Sequence, residues 1–280
     1  MIVPVDGVGQ IYVAHTEPVG SPPIMFIHGV GLDLTWWGAQ FQRFGDTREL
    51  IALDLPGHGQ SSALGTPPTF DILSSAVERV IEELAQQPVH LVGLSVGGMI
   101  AQHVALRRPD LVRSLCLVAT WCVFPDTIRG VLRERADVAR REGMATIAEL
   151  STRRWFTEDF LKNRPDVVAR ATRSLLGQSP DFHAGMWDMI AGLDVESRIT
   201  AISCPTLVVV GGADPNAPET AGRAIADRIG GSRLVVMPGL GHFPPLEADV
   251  AFNDLLEQFV RTVEQQDGDE AANAPKPYTA

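Results

Sequence analysis

Short apolar runs that end at glycine alternate with stretches of helical period over most of this chain, and few folds accept that alternation. "IYVAHTE" (11–17), "PPIMFIHG" (22–29), "ELIALDLPGHG" (49–59), "VHLVGLS" (89–95) and "VRSLCLVAT" (112–120) read as strands. "DILSSAVERVIEELAQQ" (71–87) and "VGGMIAQHVALRR" (96–108) read as helices, the second stopped by Pro109. Most of the strand runs are apolar on both faces, as in a parallel sheet covered by helices on each side. The alternation returns late, with strands at 205–212 and 232–239 and helices at 218–229 and 250–265. The expected class is α/β, with a mostly parallel central sheet flanked by helices.

Residues 122–200 break the pattern. They hold amphipathic helical stretches and no convincing strand, with Trp155, Phe156, Phe160, Met186 and Trp187 set among arginines. Positions 121–200 carry 12 Lys+Arg against 12 Asp+Glu, so the net charge of −11 resides wholly outside them. An all-helical insert between two parts of a parallel sheet suggests a lid over the carboxyl ends of the strands. The expected organisation is a core at 1–121 and 201–265, a helical cap at 122–200, and a disordered tail at 266–280 with little to bury.

Acidity without a basic tract argues against nucleic acid or an anionic membrane as a partner. Cys116, Cys122 and Cys204 lack metal-ligand or disulfide-framework spacing and read as free thiols. With no basic stretch leading into an apolar core at the N-terminus, a cytoplasmic location is expected.

The chemistry centres on Gly93-Leu94-Ser95-Val96-Gly97, a G-x-S-x-G motif between an expected strand and an expected helix. Such a turn pushes the serine hydroxyl out at the strand end and leaves the Val96 N–H at a helix N-terminus, where a developing oxyanion is stabilised. A serine nucleophile needs a base. His242, in "PGLGHFPPLE" after a late strand, is the candidate, because its loop belongs to the same sheet edge. Asp214 ends "PTLVVVGGAD" one strand–helix–strand unit earlier and can orient the imidazole; Asp126 is the alternative acid. The order Ser…Asp…His differs from that of chymotrypsin and subtilisin. The turn "HGVG" after the second apolar run offers the Val30 N–H as second oxyanion donor, with His28 bracing the loop and Asp33 as either a helix cap or a pocket residue, capping being the favoured role.

These residues resemble the alpha/beta-hydrolase superfamily, through "HGVG", "DLPGHGQS", "GLSVGG" and "GLGHFPPLE" taken in order. The resemblance implies that fold, with the helical cap inserted after its sixth strand, and a Ser95–His242–Asp214 triad needing neither metal nor organic cofactor. More narrowly, "LVGLSVGGMIAQ", "RRWFTEDFLKNRPDVVAR" and "ISCPTLVVVGGADPNAPE" look like 3-oxoadipate enol-lactonases. That implies a small, carboxylated lactone or ester substrate, held in part by Arg153, Arg154 and Trp155. Relatives of the same core act as carboxylesterases or on C–C or amide bonds, and a ligand-sensing receptor on the same scaffold is the reading of another class.

Overall fold

The computed structural model describes the backbone of residues 1–273 and the side chains of residues 1–267. Eight strands form one sheet: β1 Ile2–Val5, β2 Gly9–His15, β3 Ile24–Ile27, β4 Leu50–Leu53, β5 Val89–Leu94, β6 Val112–Val118, β7 Thr206–Gly211 and β8 Arg233–Met237. Their order is β1-β2-β4-β3-β5-β6-β7-β8. β1 and β2 pair antiparallel, as do β2 and β4, and the remaining pairings are parallel. Strands β3, β4, β5 and β7 are buried along their whole length, which is why their sequences are apolar rather than alternating. β1 was not among the expected strands. It forms a hairpin with β2, with Val3 and Val5 turned to the core.

The register sets the site. Ile27 of β3 lies opposite Gly93 of β5, Leu94 opposite Val118 of β6, Val118 opposite Val209 of β7, and Gly211 opposite Met237 of β8. The loops after β3, β5, β7 and β8 therefore leave from one edge. The chain runs outward from β3 to β4 and then returns to β5 on the other side, so a crevice opens between the β3 and β5 loops, as expected at a topological switch point.

Helices α1 (Gly38–Phe44), α2 (Phe70–Leu84) and α3 (Val96–Arg107) belong to the first part of the core. Between β6 and β7 the chain is helical: α4 Asp126–Glu142, α5 Met144–Trp155, α6 Glu158–Asn163, α7 Pro165–Leu176 and α8 Pro180–Ala191. Its entrance and exit are stitched by a bridge between Val123 and Asp194, with the Val195 N–H donating to the Cys122 carbonyl at 2.9 Å. Helices α9 (Glu219–Ala226), α10 (Pro244–Glu247) and α11 (Asp249–Asn273) complete the fold. Among the described residues no helix is long and apolar enough to cross a membrane.

The expected tail at 266–280 needs correction over its first part. α11 continues to Asn273, and residues 274–280 lie outside the described residues. One ion pair reaches the added turns, Asp267 meeting Arg113 of β6 at 2.5 Å, and just before them Glu264 takes both arms of the Arg48 guanidinium at 2.7 and 2.8 Å. Burial pushes the Glu264 carboxyl up, but the Arg48 fork, with His90 beside it, outweighs this and holds it down at about 2. Its stabilisation is therefore complete above the ordinary glutamate value and drains away as pH falls towards 2. Glu264→Gln should cost about 1–3 kcal/mol at pH 7 and much less near pH 2, measured by chemical denaturation at both.

Candidate active site

Ser95 follows β5 directly and caps α3, with φ 55° and ψ −117°, a backbone conformation that L-residues adopt only under constraint. The constraint is visible. The Ser95 N–H donates to the Val118 carbonyl at 2.8 Å, and the Ser95 carbonyl accepts from the Gly98 N–H at 2.9 Å and the Thr120 hydroxyl at 2.7 Å. Two glycines make room for the turn. A Cβ on Gly93 would lie 2.4 Å from the Gly97 carbonyl oxygen, and one on Gly97 would lie 2.3 Å from that of Ile27.

The β3 loop lies alongside. A Cβ on Gly29 would sit 3.5 Å from that of Ser95, which puts the Val30 backbone next to the serine. Two buried histidines hold this loop. The Leu55 N–H donates to His28 Nε2 at 2.9 Å, so His28 carries its proton on Nδ1 and gives it to the Gly29 carbonyl at 2.8 Å. The Gly31 N–H donates to His58 Nε2 at 3.3 Å. Burial lowers the pKa of both rings and keeps them neutral braces. Asp33 caps the next turn, accepting from the Thr35 N–H at 2.9 Å. Among the described residues, neither the Val30 nor the Val96 N–H is taken by a backbone acceptor.

His242 lies beyond β8, buried, with Nδ1–H donating to Asp214 Oδ2 at 2.7 Å. The Asp214 Oδ1 accepts the Asn216 N–H at 2.7 Å. Burial pushes the Asp214 carboxyl up, yet the His242 charge and hydrogen bond, with the Asn216 and Ala217 N–H groups, bring it below the ordinary carboxylate range. The stability it contributes is present above about pH 4 and is lost as pH falls through that lowered value. The His242 loop is clamped twice. Its N–H donates to the Trp155 carbonyl at 2.8 Å, and Glu247 accepts the Gly241 and Phe243 N–H groups on either side, each at 3.1 Å. Asp126 has no such role: it is exposed at the start of α4.

Ser95 and His242 line one pocket of about 150 Å³, walled otherwise by Gly29, Val30, Met99 and Trp121 and roofed by α4, α5 and α8. No hydrogen bond joins Ser95 Oγ to His242 among the described residues; such contacts commonly tighten only when substrate binds. If the Asp214 carboxylate sets the His242 tautomer, Asp214→Asn inverts it by offering an N–H to Nδ1. The expected loss is on the order of 10⁴ in kcat with the far-UV spectrum unchanged, read in a steady-state ester assay.

Of the three expected substrate contacts, the structure brings two to the pocket. Trp155 is buried in its wall, its ring 5.3 Å from Phe243, and Arg154 lines it with Nε on Asn216 Oδ1 at 3.1 Å. Arg153 is the correction. It is 73% exposed and paired with Glu149 at 2.9 Å, because the α-helical step of 100° turns it off the face shared by Ile147, Ser151, Arg154 and Trp155. Sequence reasoning missed Arg135. It lines the pocket with its guanidinium 4.9 Å from the Trp187 ring centre, and among the described residues it has no anionic partner. Burial and the nearby Arg154 charge lower its pKa to about 10. The signal was there: Ile128, Val131, Leu132 and Arg135 follow one helical stripe, and all four line the pocket.

Residues 24–255 match the family described as the alpha/beta hydrolase family. The 3-oxoadipate enol-lactonase 2 of Acinetobacter baylyi is 28% identical over 240 residues, covering 86% of this chain and 89% of the relative. A pimeloyl-[acyl-carrier protein] methyl ester esterase of Neisseria meningitidis is 30% identical over 258 residues, covering 87% and 94% respectively. The solved enol-lactonase of Burkholderia xenovorans superposes with a TM-score of 0.87 at 26% identity, covering 93% of this chain and all of that one.

Proposed function

The chain belongs to the alpha/beta hydrolase family, and on that footing we propose that it cleaves a small carboxylated lactone or ester through an acyl-enzyme on Ser95. Ser95 Oγ attacks the carbonyl carbon as His242 Nε2 takes its proton, Asp214 holding the ring and balancing its charge. The Val30 and Val96 N–H groups receive the oxyanion; one such donor is worth about 2.7–4 kcal/mol. The tetrahedral species collapses, the C–O bond breaks, and His242 returns the proton to the leaving oxygen. In a lactone that oxygen stays attached to the acyl group. Water, deprotonated by His242, then attacks the acyl-enzyme and frees Ser95.

The observation that carries this reading is the strained Ser95 and the Asp214-bonded His242 lining one pocket, beside two free N–H groups. Arg135 and Arg154 favour a carboxylate on the substrate, since a planar guanidinium binds one through paired hydrogen bonds. The relatives named as an enol-lactonase and a methyl ester esterase support a lactone or ester as the bond cleaved. Residues 122–200 serve as the cap, and the free cysteines suit the cytoplasm.

A panel of carboxylated γ-lactones, neutral lactones and short p-nitrophenyl esters, run alongside a serine-directed phosphonate, tests it. The expected result is multiple turnover, stoichiometric labelling at Ser95, and at least tenfold higher kcat/KM for the carboxylated members. Tight binding without turnover would instead mark a receptor, and equal rates on all members a general carboxylesterase.

A further inference from the structure

Building on that hydrolytic reading, we infer that the substrate reaches past the catalytic pocket: its carboxylate lies between Arg135 and Arg154, and an apolar arm of several carbons enters a second chamber within the helical insertion. That chamber, about 220 Å³, lies among α4, α5 and α8 with Val138, Ile147 and Leu150 in its walls. It shares Val131, Arg135, Arg154, Trp155, Trp187 and Asn216 with the catalytic pocket, so the two are adjoining rooms divided by that group. Neither room alone attains the ~300–1,000 Å³ usual for small-molecule sites, and together they do.

The division of labour follows from the linings. At the dividing wall stand two arginines without anionic partners among the described residues, one of them held against Trp187. Beyond it the walls are mostly apolar. The one acid there, Glu134, is committed to Arg141 at 2.9 Å. Val131 and Leu150 are about half exposed at the chamber, although both belong to helices whose outer faces are charged. A short, wholly polar substrate would leave this apolar surface wet. An apolar arm would cover it, each buried methylene tightening binding by about fourfold.

Straight-chain alkanoates from butanoate to decanoate, titrated calorimetrically into the wild-type protein, separate this inference from the reading beneath it, because binding a free acid needs no turnover. The Kd should fall about fourfold per methylene until the chamber is full. Val138→Phe and Ser151→Phe fill it from opposite walls, and each should flatten the series; using two guards against one failing to fold. Arg135→Met should weaken all members by a similar factor. A Kd independent of chain length, or the same slope in both filled variants, overturns the second room while leaving Ser95-dependent hydrolysis intact. A Kd that falls with chain length and that the filled variants flatten, in a protein that turns over no ester, keeps the two-room carboxylate site and removes the hydrolytic reading alone.

Discussion

Ser95→Ala is expected to lower kcat for ester or lactone hydrolysis by about 10⁴- to 10⁶-fold and leave the protein fully folded. The reasoning starts from the backbone. Ser95 is held at φ 55° by bonds from its own N–H and carbonyl, none of which uses the hydroxyl. Removing Oγ therefore takes away the nucleophile and no structural contact. Residual rate would come from the oxyanion donors and from binding. Ser95→Gly sharpens the test. Strain at such a position costs ~1–3 kcal/mol, and glycine relieves it while adding ~0.5–1 kcal/mol of chain entropy to the unfolded state. The glycine variant should thus be inactive and at least as stable as wild type by differential scanning calorimetry. A nucleophile bound into a backbone that its own side chain does not support is fold stability given up for chemistry. Wild-type turnover in Ser95→Ala would remove the serine from the mechanism altogether.

The sheet was legible because burial on both faces makes a parallel strand a continuous apolar run, as in "PPIMFIHG" and "PTLVVVGG". The reactive serine was legible because a turn this tight requires glycine where backbones touch, at Gly93 and Gly97. Other features were hidden for physical reasons. β1 has only four residues, and its one cue was the Asp6-Gly7 pair of a hairpin turn. The continuation of α11 is met by Arg113, which is remote in sequence. The adjacent pair Arg153-Arg154 was read as a unit, although neighbouring residues on a helix face different ways. Arg135 was overlooked inside an arginine-rich helix, where only its place on the apolar stripe of α4 sets it apart from Arg133.

Arg135→Met should cut kcat/KM for carboxylated substrates by about 10- to 150-fold, the loss of a charged hydrogen bond worth ~1.5–3 kcal/mol, and change neutral esters far less. The same variant should be more stable at neutral pH. Burial, then the Arg154 charge, lowers the folded-state pKa of Arg135 to about 10, so the fold disfavours its charged form. A base with a depressed folded pKa detracts from stability at every pH below that value. The penalty fades as pH rises from about 10 towards the ordinary arginine value. A methionine of similar length carries no such penalty and can still lie against Trp187. The two readouts thus move in opposite directions, selectivity down and melting temperature up, as expected of a charge kept in place for a ligand rather than for the fold. Were Arg135 chiefly a packing partner of Trp187, stability would fall and charged and neutral substrates would suffer alike. The carboxylate would then have to be met by Arg154 alone, which its bond to Asn216 ties to the same loop that carries Asp214.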